Sequence, residues 1–117
     1  MTREIALCER TGLAVRDTVA GAGRHRITVC WQFAPGRVTY APETGSAVYE
    51  NERGTRISLV ALPPEGLVPE VALFHGALEP VRGWVSSQGR DLPAPYLQYA
   101  FAATLPLTLS WELHSVK

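Results

Sequence analysis

An all-β, antiparallel β-sandwich is the fold class this sequence predicts, and three observations predict it. Apolar and polar residues alternate in nearly every run, the period of a strand with one buried face. Turn residues return every ~8–12 positions, the spacing of a sandwich or barrel. Apolar spacing at three and four residues, the mark of a helix, is sustained nowhere along the 117 residues.

The elements follow in chain order. Strands are expected at Arg3–Cys8, Leu13–Val19, Arg26–Phe33, Arg37–Ala41 and Ala47–Asn51. Five more are expected at Thr55–Ala61, Glu70–His75, Val81–Ser86, Leu97–Ala102 and Thr104–Ser115. The third and the last alternate most cleanly. Ile27, Val29, Trp31 and Phe33 share one face of the former, with Arg26, Thr28 and Gln32 opposite. Leu105, Leu107, Leu109, Trp111 and Leu113 share one face of the latter. Trp31, Leu109 and Trp111 are therefore expected in the core. Breaks are expected at Thr11-Gly12, Gly21-Ala-Gly23, Pro35-Gly36, Glu43-Thr-Gly45, Arg53-Gly54, Pro63–Gly66 and Gly89. Asn51–Gly54 (NERG) reads as a hairpin loop with a left-handed Gly54. Pro106 has no N–H for a ladder, which predicts an edge strand or a bulge there.

Length predicts one domain spanning 1–117, with enough surface burial for a single core. Apolar residues make up 46% and charged residues 19%, an ordinary globular balance. Eleven basic and eleven acidic residues cancel, so the basic excess of a nucleic-acid binder is missing. Arg16, Arg24, Arg26 and Arg37 read as a solvated strand face. The opening MTREIALCER is charged and lacks the apolar core of a signal peptide, and no stretch has the apolar length of a membrane-spanning helix. A cytoplasmic protein, or a fragment whose leader lies elsewhere in its parent, fits that opening. Cys8 and Cys30 permit one disulfide, yet both sit on the polar parity of their strands.

Chemistry-bearing patterns are sparse. His25, His75 and His114 have no partner at a metal-ligand spacing, so no metal and no cofactor is expected. Nucleophile elbows and phosphate-binding glycine loops are missing. Asp17, in LAVRDTV, is unusual for a strand interior; the favoured reading is a carboxylate bonding backbone amides of the Gly21–Gly23 turn, and the other is a group facing a groove. Trp31 and Trp111 belong to the core by parity. Trp84, Tyr96 and Tyr40 are less committed: packing and sugar stacking are both open to them. The stretch GWVSSQGRDLPAPYLQY, Gly83 to Tyr99, reads first as a corner. Gly83 allows close backbone approach, Trp84 plugs the sandwich end, and Pro93 and Pro95 hold an extended crossover. Arg90 and Tyr96 are the groups there that remain available to a ligand.

The segment LAVRDTVAGAGRHRITVCWQFAPG resembles a recurring pattern of heparinase II/III-like proteins, V-x-D-x-V-x-G-x-G-x-H leading into a strand with an aromatic and Pro-Gly exit. Here the pattern falls on Val15, Asp17, Val19, Gly21, Gly23 and His25. The tail GWVSSQGRDLPAPYLQYAFAATLPLTLSWEL is similar to the closing pattern of the same domain: a GWxS corner, a glycine turn, PAP, then two apolar strands. The two segments bracket nearly the whole chain, and Val38–Glu79 between them is matched only in character. The tail departs from the pattern at Ser87-Gln88, where a proline and an aromatic belong.

The resemblance implies an all-β module at the C-terminal end of a polysaccharide lyase. In such enzymes a helical toroid precedes the sheet domain, and the cleft between them holds an acidic polysaccharide. Elimination at the uronic acid draws its Tyr and its Asn or His largely from the toroid, which this chain does not contain. The implied role is therefore to line or support the cleft without catalysis in isolation. His25, at the final position of the first motif, is given no catalytic role; with Arg90, Tyr96 and Trp84 of the corner it makes up the candidate substrate contacts. The rival reading is a free-standing carbohydrate-binding or assembly module without enzymatic role.

Overall fold

The computed structural model describes residues 2–8, 12–78, 81–87 and 89–116, with the side chains of Leu7, Cys8, Val81 and Ser87 excepted. Thr11 of the first expected turn, Gln88 of the altered tail loop and the Cys8 thiol lie outside the described residues. No helix occurs among the described residues, and so none is long and apolar enough to cross a membrane.

Eleven strands are described: β1 (Thr2–Cys8), β2 (Gly12–Gln32), β3 (Gly36–Ala41), β4 (Ser46–Asn51), β5 (Arg56–Leu62) and β6 (Glu70–His75). They continue as β7 (Ala77–Leu78), β8 (Val81–Arg82), β9 (Trp84–Ser87), β10 (Arg90–Pro93) and β11 (Pro95–Val116). Seven form one antiparallel sheet in the order β1-β2-β11-β5-β4-β3, with β6 added on β11. The pairs β7–β8 and β9–β10 are separate small hairpins.

Two expectations are corrected by the length of β2 and β11. Leu13–Val19 and Arg26–Phe33 are not two strands around a Gly21–Gly23 turn, and Leu97–Ala102 and Thr104–Ser115 are likewise one strand. Each long strand runs through its apparent break, and the two pair along almost their whole length. A fully extended strand of 22 residues would span roughly 70 Å, whereas the longest dimension of the molecule is 42 Å. The ribbon must therefore fold over on itself. It does so where the register slips: Leu105 faces Gly23 and Leu107 faces Val19, so Ala20–Ala22 bulge opposite Pro106 alone. Proline offers no N–H to the ladder, and Gly21 and Gly23 adopt positive φ of 135° and 80°, which lets the bulged strand turn sharply. Pro106 thus marks a bulge within a central strand, not an edge.

The fold-over creates the two layers of the sandwich. The first half of β11 pairs with β6 and the end of β2; its second half pairs with β5 and the start of β2. Odd-numbered residues of β11 point inward on both sides of the bend: Leu97, Tyr99, Phe101, Leu107, Leu109 and Trp111 are buried. Tyr99 and Trp111 come from opposite layers and meet edge to face at 4.8 Å, and Trp111 also meets Trp31 at 5.3 Å. Trp111 and Leu109 are each 1% exposed. Trp31 departs from its expectation: it is half-buried, packed against the edge of the core.

Smaller elements follow local chemistry. In the β4–β5 hairpin, the Asn51 side-chain oxygen accepts from the backbone N–H of Arg53 and of Thr55 at 2.9 Å, with Gly54 at φ 84°. The expected Val81–Ser86 strand is divided at Gly83, which belongs to neither β8 nor β9. Surface arginines are paired across strands: Arg16 with Glu4, Arg26 with Glu70 and Arg37 with Glu50. Exposed pairs of this kind contribute little to stability.

Candidate functional site

The corner from Gly83 to Tyr99 is held by one carbonyl. Gly83 O accepts from Gly76 N–H at 2.9 Å and from Ala94 N–H at 2.7 Å, fastening the end of β6 and the start of β11 together. A Cβ on Gly83 would sit 2.8 Å from backbone atoms of Phe74 and His75, so only glycine admits the contact. Trp84 is half-buried beside it and donates its indole N–H to Ala77 O at 2.8 Å. Its indole N–H is thereby satisfied within the corner.

Tyr96 stands on the outer face of the layer formed by β2, β11 and β6, and the structure surrounds it with groups from three distant segments. Phe74, its register partner on β6, meets it edge to face at 6.1 Å. The Arg82 guanidinium of β8 lies 5.3 Å from the Phe74 ring centre, a cation–π distance. On β2, the exposed Cys30 carries a free thiol near Tyr96. The neighbouring thiol raises the Tyr96 pKa, burial adds to the rise, and the Arg82 charge opposes it. An aromatic pair, a cation and a hydroxyl on an open sheet face can hold a ring with a negative substituent: the faces by stacking, the guanidinium by charge.

The other expected contacts lie apart. Arg90 is exposed in the β9–β10 hairpin, three rungs beyond Trp84. His25 pairs with Ala103, seven residues along β11 from Tyr96, or about 23 Å at strand rise. Its Nε2 lies 2.9 Å from Ala22 O, an assignment to the local bulge. His75 is exposed at the end of β6, and His114 Nε2 lies 3.1 Å from a Glu112 carboxylate oxygen. Among the described residues, no three His, Cys, Asp or Glu side chains converge as a metal would require. Phe74, Arg82 and Cys30 carried no motif in the sequence; the alternation of β2 and β6, which put Cys30 and Phe74 on the polar parity, was the one available signal.

Asp17 departs further from its expected environment. It does not bond the amides of a glycine turn. Its carboxylate is fully buried between the layers, facing Arg3 of β1 in register. Arg3 donates from Nε to Oδ1 at 2.5 Å and from Nη2 to Oδ2 at 2.7 Å. The Trp111 indole N–H also donates to Oδ2, at 3.1 Å. The bond with Asp17 raises the Arg3 pKa, and the guanidinium lies 4.7 Å from the Trp31 ring centre. A bidentate pair with a third donor satisfies the carboxylate, and it bolts the edge strand β1 onto the core. This is a brace.

No protein-family model matches the chain, and no curated protein matches it. Among solved structures, a heparinase III described as the BT4657 gene product has the same fold, with a TM-score of 0.73, 16% identity and 98% of this chain covered. A second structure titled as that product with methylated lysines gives a TM-score of 0.70 at the same identity and coverage. In both, the chain spans only 17% of the neighbour's length.

Proposed function

We propose that this chain is the β-sandwich module of a larger heparinase-type polysaccharide lyase, placed C-terminal to a helical toroid, and that it lines a cleft for acidic polysaccharide without catalysing elimination by itself. The observation that carries the proposal is the structural match: nearly the whole chain superposes on about a sixth of heparinase III, which leaves the greater part of such an enzyme to other domains. The two sequence patterns around Asp17 and Trp84 point the same way. Elimination at a uronic acid needs a base for the C5 proton, a group that neutralises the carboxylate, and an acid for the leaving oxygen. Tyr96 is a poor base at neutral pH because its pKa is raised, and His25 is engaged with Ala22 some distance away. What the outer face offers is binding: Arg82 for a carboxylate or sulfate, Phe74 and Tyr96 for the sugar ring.

The purified chain, incubated with heparin, hyaluronan and alginate, should release no unsaturated uronate, followed by its ultraviolet absorbance. It should bind heparin weakly, and Arg82→Ala should reduce that binding about fivefold to tenfold, as loss of one cation–π-supported charge contact would. Steady product formation that disappears in His25→Ala would refute the non-catalytic role. Heparin binding unaffected by Arg82→Ala would move the contact surface elsewhere.

A further inference from the structure

A second site opens on the opposite side of the β6–β11 ladder from the Phe74–Tyr96 face, three rungs along it at Val71 and Tyr99, between the β3–β4 hairpin and the loop joining β5 to β6. It is a pocket of about 610 Å³, within the roughly 300–1,000 Å³ of small-molecule sites. Pro42, Pro63 and Pro69 form part of its wall, with Leu67 and Val71; the proline rings fix their own backbone φ, so this wall is largely preformed. None of its lining residues carries a formal charge. Tyr99, fully buried, closes one side, and Tyr40 stands edge-on to it at 6.4 Å. The Tyr99 hydroxyl is buried and has no hydrogen-bond partner among the described residues. A buried hydroxyl without a partner is costly, and native cores rarely keep one without a reason. Burial and the neighbouring Tyr40 together raise the Tyr99 pKa, so the group is a neutral phenol available as donor or acceptor.

We infer that this pocket binds a neutral, ring-shaped apolar ligand bearing one hydroxyl, whose oxygen pairs with the unsatisfied Tyr99 hydroxyl. The absence of lining charge sets the class. An anion would be stripped of water with no cation to receive it, so this ligand differs from the acidic polymer proposed for the outer face, and the inference stands independently of that proposal.

Benzyl alcohol and benzoate make a matched pair of probes, alike in shape and different in charge. Titrated into the isotopically labelled chain and followed by nuclear magnetic resonance, benzyl alcohol should give saturable shifts confined to residues 40–45, 61–71 and 99. Benzoate should bind at least tenfold more weakly. Tyr99→Phe keeps the ring and should weaken benzyl alcohol about fivefold or more while leaving the thermal midpoint unchanged or higher, since it removes an unpaired hydroxyl. Ala61→Leu, which fills the pocket from its β5 side, should abolish the shifts. Non-saturating shifts, equal affinity for benzoate, or full affinity in Tyr99→Phe would each overturn the inference.

Discussion

Trp111 and Asp17 show how a single side chain can serve both layers. Trp111 packs edge to face on Trp31, Tyr99 and Phe101 while its indole N–H reaches Asp17. Trp111→Ala should lower stability by about 3–5 kcal/mol, as large aromatic-to-alanine changes in cores do. The half-buried Trp31 should lose clearly less on the same change; equal shifts in the urea midpoint would contradict the burial difference. Asp17→Ala leaves Arg3 without its partner. Because the Arg3 side chain is 34% exposed and can turn to water, we expect about 2–4 kcal/mol, toward the lower part of the range for a broken buried pair. Adding Arg3→Met to Asp17→Ala should recover part of the loss, and a double variant no better than the single would argue against the brace. Tyr99 adds a pH dependence. Its folded pKa is raised, so the folded state holds the phenolic proton more tightly than the unfolded chain. The contribution is complete below the unfolded value of about 10 and declines as pH rises beyond it. Urea midpoints should fall above that pH in the wild type and fall less in Tyr99→Phe.

At the scale of elements, the corner at Gly83 and the bend at Pro106 decide where everything else sits. Gly83 holds φ at 80°, and backbone atoms of Phe74 and His75 fill the space a Cβ would need. Gly83→Ala should therefore lower the thermal midpoint, by an amount corresponding to about 2 kcal/mol or more, because both the left-handed backbone and the close approach are denied. Tyr96 should report the disturbance, since β6 and β11 would part beside it; an unaltered midpoint would mean the corner tolerates a side chain. The corner reading of Gly83–Tyr99 was legible from composition, since glycine, tryptophan and two prolines in a short span have few other uses. The continuity of β2 and β11 was not. A Gly-Ala-Gly step and an interior proline serve a turn and a bulge equally well, and only the pairing of Leu105 with Gly23 and Leu107 with Val19 tells one from the other.

For the molecule as a whole, the folded-over ribbon explains why one sheet can enclose a core. Its two halves bring Tyr99 and Trp111, twelve residues apart on one strand, into contact from opposite sides. It also leaves two surfaces of different character. The outer face around Tyr96 is open and carries a cation, whereas the pocket beside Tyr40 and Tyr99 is apolar and uncharged. With the two proposed sites on separate surfaces, heparin and benzyl alcohol should bind without competition. Measuring heparin affinity with and without saturating benzyl alcohol tests this, and mutual exclusion would mean the two surfaces are coupled or one.

The sequence by itself determined the strand chemistry: which residues alternate, which face of each strand is apolar, where hairpins such as Asn51–Gly54 close, and that Trp111 and Leu109 enter the core. These properties are local, set by side-chain period and by backbone freedom within a few positions. Tertiary structure alone decided that Asp17 meets Arg3 and Trp111, that Tyr96 gathers Cys30, Phe74 and Arg82, and that Tyr99 closes a pocket. Each of those contacts joins strands 14 to 94 residues apart or depends on how they register. Alternation fixes a face but not a neighbour, and neighbours are chosen only when the ribbon bends and the layers close.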